Sequence, residues 1–229
     1  MSGIFDNYCD VRSRMETACA RAGRGADGVR LIAVTKFVDI ARIAEAVKAG
    51  VTEVGENRVQ DLKEKLNFFE QQGLTTHFTG QLQTNKLKYV CNRVGTIQSV
   101  DRAALCEKLE QAAAANGGVQ DVFVQVNIGD EPQKGGISIS ELPSLVGILS
   151  ECSHLCVKGL MCVPPALEPE AARPYFRRMY ELFCRLRQEY PKLPIAELSM
   201  GMSHDFDVAI EEGATMVRVG TAIFGERTK

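Results

Sequence analysis

With 229 residues, 45% of them hydrophobic and 24% charged, the sequence has the composition of a soluble globular protein long enough to bury a substantial core. A formal net charge of −2 gives no electrostatic case for nucleic acid or an anionic membrane as partner. No apolar run reaches the roughly 18 residues of a membrane span, and the opening MSGIFDNYCDVRSR lacks the basic start and apolar stretch of a signal peptide, so a cytoplasmic protein is expected. Eight cysteines are scattered without a CxxC pair, which points to reduced thiols rather than a disulfide framework or a zinc site.

The N-terminal segment places Ile4, Tyr8, Val11, Met15 and Ala18 on one face of a helix. From there on short β-branched runs alternate with helical periodicity. The run VRLIAVT (29–35) predicts a first strand, and Asp39 predicts an N-cap for a helix through Ile40, Ile43 and Val47 that stops at Gly50. Strands follow at 52–55, 76–79, 96–100, 121–128, 155–163, 195–200 and 214–219. Between them lie helices through Val59, Leu62, Leu66 and Phe69; through Leu87, Val90, Cys91 and Val94; and, capped by Asp101, through Leu105 and Leu109. Further helices run through Leu142, Leu145, Val146 and Leu149, through Phe176, Met179, Phe183, Leu186 and Tyr190, and through Phe206, Ala209 and Ile210. Several strands are near-continuous apolar runs, as in a parallel sheet buried on both faces. Eight strands alternating with helices predict an α/β fold, a (β/α)8 TIM-type barrel formed by a single domain over residues 1–229. The N-terminal helix is expected to complete the outer ring where the eighth helix would sit; an open doubly wound sheet is the alternative.

Active sites of such barrels lie at the C-terminal ends of the strands, and the loops after strands seven and eight often hold phosphate. Lys36 directly follows the apolar LIAV of strand one, where desolvation disfavours its ammonium and frees the amine to meet a carbonyl. Position alone leaves a plain surface lysine equally open. The loops SMGMSHD (199–205) and RVGTAIFG (218–225) each set glycine beside a hydroxyl residue. Glycine lets backbone N–H groups approach an anion, and Ser203 is expected to begin a short helix whose N-terminus favours one. Together the three features describe a ligand with an aldehyde at one end and a phosphate at the other, which pyridoxal 5′-phosphate (PLP) fits. Arg218 alternates with apolar neighbours in ATMVRV and is expected to point into the barrel mouth. If it faces the pyridine nitrogen it can only donate to it, which weakens the ring as an electron sink. A salt bridge to a strand-end carboxylate is the other reading of Arg218.

At these residues the sequence resembles the pyridoxal phosphate homeostasis protein (YggS/PROSC) family, relatives of the N-terminal barrel domain of alanine racemase. The stretches that carry the resemblance are LIAVTK, GENRVQDLKEKL, HFTGQLQTNK, IQSVD, VQVNIGDEPQKGG, GLMCVPP, LSMGMSHDF and TMVRVGTAIFGER, in order along nearly the whole chain. The resemblance implies a fold-type III PLP-binding barrel in which Lys36 holds PLP as a Schiff base and Asn57 lies beside the cofactor. It further implies that Ser203, Gly220 and Thr221 hold the phosphate, that Arg218 meets the ring nitrogen, and that Met200 and Gly201 pack near the phosphate or ring. Arg58 departs from the family pattern, standing where relatives often have an aromatic residue after GEN, and DEPQKGG differs in spacing around Lys134, which is therefore given no role.

The resemblance implies binding, buffering or carrying of PLP without established catalytic turnover. The chain ends at Lys229, just after the barrel, so the second domain that gives alanine racemase its other catalytic base is not expected here, and with it the usual racemase dimer contacts. A monomer that hands PLP to PLP-dependent apo-enzymes is the expectation; a PLP-dependent racemase or lyase, and a Schiff-base aldolase without PLP, remain as alternatives. The three histidines, His77, His154 and His204, are dispersed and form no expected metal centre, and His77 and His204 are read as structural and solvent-facing. The arginines and glutamates of the longest helix are read as a solvated face.

Overall fold

The computed structural model describes residues 3–226. Eight parallel strands close into a barrel in sequence order. They are β1 (Arg30–Val34), β2 (Glu53–Glu56), β3 (Thr75–Phe78), β4 (Thr96–Val100), β5 (Gln120–Val126), β6 (Leu155–Cys162), β7 (Glu197–Met202) and β8 (Met216–Val219). β8 pairs back onto β1 with Arg30 opposite Met216 and Ile32 opposite Arg218, so the closed sheet expected from the sequence is the one formed, and the open sheet is not.

The helices are α1 (Ile4–Arg21), α2 (Ile40–Ala49), α3 (Val59–Gln71), α4 (Ala103–Ala115), α5 (Leu142–Ser150), α6 (Pro169–Glu189), α7 (Phe206–Glu211) and α8 (Thr221–Phe224). α1 buries Ile4, Val11, Met15, Ala18 and Cys19 and packs on α2, α7 and α8, which closes the ring beside the short α8. Asp39 caps α2 as expected, its carboxylate accepting the Arg42 N–H at 2.9 Å.

Three expected helix features differ. Leu87, Val90 and Cys91 are buried, but the segment forms a 3₁₀ turn over Thr84–Tyr89 rather than an α-helix. Gln120 of β5 accounts for this: its Oε1 accepts the Asn92 N–H at 2.7 Å, and its Nε2 reaches the Val94 and Gly95 carbonyls. Those contacts replace the backbone partners a continuing helix would need. Asp101 does not cap α4; the cap residue is Arg102, and the Asp101 carboxylate pairs with the Arg102 guanidinium at 2.5 Å. On α6, Arg173 is not solvated as read from sequence but clamps Glu170, Glu211 and Glu212, tying α6 to α7.

The main apolar core lies between sheet and helices. A separate cluster of Ile32, Phe123, Met161 and Met216 fills part of the barrel interior. The rest of the interior is polar, and that asymmetry leads to the mouth.

Candidate functional site

A cleft of about 710 Å³ opens at the C-terminal mouth of the barrel. It is lined by Lys36, Asn57, Ser203, Arg218, Gly220 and Thr221, all expected there from the sequence. Six residues from the ends of four strands thus converge on one concavity.

Lys36 is half-buried in the turn after β1. The Val38 N–H closes this turn on the Thr35 carbonyl at 3.0 Å, and Phe37 at its corner has φ of 61°. A non-glycine residue in this left-handed region costs roughly 1 kcal/mol or more, which surrounding contacts must offset. The stem of the turn supplies them. Thr35 donates its hydroxyl to Glu56 Oε1 at 2.7 Å, and Lys65 of α3 donates to the same oxygen at 2.8 Å and to the Thr35 carbonyl at 2.7 Å. Glu56 is fully buried, and burial pushes its carboxyl above the usual carboxylate range, against the opposing pull of Lys65 and Thr35. This buried pair fastens β1, β2 and α3 together directly beneath Lys36. Over the turn, Arg58 sits with its guanidinium carbon 5.4 Å from the Phe37 ring centroid, so the residue that departs from the family pattern packs on an aromatic rather than supplying one.

Asn57 follows β2, and its Oδ1 is buried with no hydrogen-bond partner among the described residues. Its backbone is held by close approach to the loop after β3. A Cβ on Gly80 would lie 1.9 Å from the Asn57 carbonyl oxygen, so only glycine allows this packing.

The anion corner forms differently from expectation. Ser203 does not begin a helix: it stands in a turn, and α7 starts at Phe206. Its hydroxyl oxygen instead accepts the backbone N–H groups of Gly220 at 3.1 Å and Ala222 at 3.2 Å, across the gap between β7 and β8. The N–H groups that could meet an anion therefore belong to the start of α8. Asp205 shapes this turn by accepting the Met202 N–H at 2.6 Å; burial raises its carboxyl, opposed by that bond and by Arg218.

Met200 and Gly201 do not line the cleft. Met200 is fully buried in the core, and Gly201, at φ of 91°, packs so closely on α7 that a Cβ would lie 2.6 Å from that of Ala209. The register between β7 and β8 shifts between Ser199 and Met202, a bulge that breaks strict alternation and brings Met202 to the cleft wall.

Arg218 is buried at the floor of the cleft. It donates to Ser199 Oγ at 2.7 Å and to the Cys162 carbonyl at 2.7 Å. Among the described residues it makes no ion pair, so the salt-bridge reading is not the one realised. Burial lowers its pKa from the ordinary arginine range, and burial pushes the neighbouring Cys162 thiol up to about 12, so that sulfur stays protonated.

Phe37, Arg42, Thr79, Met161 and Phe224 also line the cleft but were not singled out from sequence, and His204, read as solvent-facing, lines it too. Arg42 reaches it from α2 and donates to the Phe224 carbonyl, a contact between residues far apart in sequence that spacing does not reveal. His204 is exposed at the rim, 3.6 Å from Glu168. His77 lies fully buried inside the barrel, and His154 pairs with Glu110. Lys134 donates to the Pro164 carbonyl at 2.7 Å and pairs with Glu131. Among the described residues there is no cluster of groups able to hold a metal ion.

Compared with known proteins, residues 10–228 match the family described as alanine racemase, N-terminal domain. A pyridoxal phosphate homeostasis protein of Aquifex aeolicus is 46% identical over 226 residues, covering 96% of this chain and 99% of that protein. One from Escherichia coli K12 is 38% identical over 232 residues, covering 99% and 98%. Among solved structures, PipY of Synechococcus elongatus PCC7942 with PLP bound is similar with a TM-score of 0.85 at 33% identity, covering 97% of this chain and 100% of that one.

Proposed function

The chain belongs to the alanine racemase N-terminal domain family, among the pyridoxal phosphate homeostasis proteins, and on that premise we propose that residues 1–229 act as one unit that binds PLP reversibly and buffers or carries its supply. One observation carries the reading: a lysine, an arginine and a hydroxyl-and-amide anion corner line the same cleft.

The residues present fit the cofactor. Asn57 Oδ1 is a buried acceptor without a partner among the described residues, which a donor on a bound ligand would satisfy. The Ser203 hydroxyl already occupies two backbone N–H groups of the Gly220–Ala222 turn, the geometry in which an anion's oxygen is received. When bound, PLP supplies an aldehyde that a lysine amine captures reversibly. Lys36 would provide that amine, held in place by the Thr35–Glu56–Lys65 network below it. Ser203, Gly220 and Thr221 would hold the phosphate, and Met200 and Gly201 act at one remove by packing the backbone that carries Ser203. Arg218 would face the ring nitrogen as a fixed donor.

That last role favours holding over turnover. A guanidinium can donate but not readily accept, so a ring nitrogen facing Arg218 would be held without a proton, which would weaken the ring as an electron sink. We therefore read the protein as non-catalytic, cytoplasmic and monomeric, with PLP-dependent apo-enzymes as recipients. Among the described residues no helix is long and apolar enough to cross a membrane.

The test is PLP uptake. The purified protein is expected to take up one PLP and turn yellow, with the imine absorbance lost in Lys36→Ala. A protein that stays colourless in excess PLP contradicts the reading. Deuterium exchange at Cα across a panel of amino acids separates holding from catalysis: steady exchange abolished by Lys36→Ala would establish an enzyme instead.

A further inference from the structure

The polar half of the barrel interior connects the floor of the cleft to the opposite end of the barrel. Arg218 of β8 donates to Ser199 Oγ of β7 at 2.7 Å. Ser199 Oγ lies 2.7 Å from Gln98 Oε1 of β4. Gln98 Nε2 is 3.4 Å from His77 Nδ1 of β3 and 3.2 Å from the Met216 sulfur. Thr96 Oγ1 is 2.7 Å from the same Nδ1, and His77 Nε2 is 2.9 Å from Glu53 Oε2 of β2. Glu53 and Glu197 flank Arg30 at the N-terminal end, at 3.7 and 2.8 Å. Gln98, Ser199 and His77 are fully buried, so bulk solvent does not reach these bonds.

The two ends fix which way the protons point. A guanidinium has donors only, so Ser199 Oγ must accept from Arg218 and spend its own hydrogen on Gln98 Oε1. That sets the orientation of the Gln98 amide, whose NH2 then faces His77 Nδ1 and Met216. With the Gln98 NH2 aimed at it, Nδ1 is the bare ring nitrogen, and the Thr96 hydroxyl, free to turn, donates to it as well. The ring proton then sits on Nε2, where a carboxylate, an acceptor only, receives it. The opposite orientation of Gln98 would leave the Ser199 hydrogen without an acceptor among its hydrogen-bonded neighbours.

We infer that His77 is a positioning residue for Arg218: Arg218, Ser199, Gln98, His77 and Glu53 form a hydrogen-bond chain through the barrel whose donors all point from the cleft toward Glu53, and this chain locks the guanidinium in the orientation that meets the bound ring. The chain itself is independent of any ligand; its consequence for PLP rests on the function proposed above. Each link is buried, so breaking one leaves an unsatisfied polar group, and the arginine regains rotational freedom.

The ligand-free protein tests the chain. Two-bond ¹H–¹⁵N correlation spectra distinguish a bare from a protonated ring nitrogen. His77 is identified by elimination, using His154→Gln and His204→Gln, because the sequence has three histidines. The expected spectrum shows His77 Nδ1 bare and Nε2 protonated. Gln98→Glu removes the donor and is expected to draw a proton onto Nδ1. A proton on Nδ1 in the unsubstituted protein overturns the inference, as does a Gln98→Glu spectrum with both ring nitrogens unchanged.

The loaded protein tests the positioning. Ser199→Ala is expected to shift the absorbance maximum of bound PLP and to weaken its binding about tenfold, with both restored by Ser199→Thr. An unchanged spectrum and affinity in Ser199→Ala overturn the positioning role. Failure of the unsubstituted protein to take up PLP would instead overturn the cofactor reading, and the two failures are told apart because the first arm needs no ligand.

Discussion

Replacing Lys65 by methionine should destabilise the protein in a way that depends on pH. Among the described residues Lys65 is the only cation bonded to Glu56, whose side chain is completely buried and whose Oε2 meets no hydrogen-bond partner among them. Methionine keeps the packing of the stem but removes both lysine bonds, to Glu56 and to the Thr35 carbonyl. Breaking a buried pair by deleting one partner costs about 3–5 kcal/mol. For a chain of this length that lowers Tm by about 10 °C. The pH dependence follows from the carboxyl. Burial already raises Glu56 above its ordinary 4.5, and losing the opposing pull of Lys65 raises it further. Between the unfolded and folded values the folded state binds more protons than the unfolded one, so stability falls as pH rises through that window. The two windows share their lower edge, so the variant's deficit grows only above the raised Glu56 value of the unsubstituted protein, where that protein has stopped losing stability and the variant has not. Urea unfolding at pH 5 and pH 8 should show an additional loss of at least about 1.4 kcal/mol at the higher pH, one pKa unit's worth. The double variant Glu56→Gln/Lys65→Met should lose that pH-dependent step. A Lys65→Met deficit equal at both pH values, or absent, would refute the claim that an ionised carboxylate is held beneath Lys36.

Ser203→Ala removes the acceptor shared by the Gly220 and Ala222 N–H groups, and PLP affinity measured by absorbance titration should fall about tenfold, roughly 1.4 kcal/mol, with little change in Tm. Gly80→Ala should cost about 3 kcal/mol in urea unfolding, because the new Cβ would lie 1.9 Å from the Asn57 carbonyl; PLP binding should weaken with it as Asn57 is displaced. Saturating PLP at about 100 times its Kd should add roughly 2.7 kcal/mol to the unfolding free energy, and Lys36→Ala should remove most of that gain.

The strands were legible because a parallel barrel buries both faces of each one, so β5 and β6 read as largely apolar runs, β6 interrupted only at Lys158 and Gly159. The position of Lys36, Asn57, Ser203 and Arg218 followed from chain order alone, since every strand of such a barrel ends at the same mouth. Periodicity misled at Leu87, Val90 and Cys91. An i, i+3, i+4 pattern reports which side chains are buried, and it cannot see that Gln120 from β5 takes over the backbone of that segment. Met200 and Gly201 came from the family resemblance, which does not report that the strand bulges at this point and turns Met202 rather than Met200 to the cleft. The Glu56–Lys65 pair and the Arg218-to-Glu53 chain were invisible for a different reason. Their members lie on separate strands or helices, and nothing in residue type or spacing announces which partners a closed barrel brings face to face.

The central claim is that Lys36 captures PLP in the cleft it shares with Arg218 and Ser203. Borohydride reduction of the PLP-treated protein, followed by intact mass and peptide mapping, tests it most directly. The account predicts a single phosphopyridoxyl group on Lys36, absent from Lys36→Ala. An adduct on another lysine, retained when Lys36 is replaced, or no adduct at all, would contradict it.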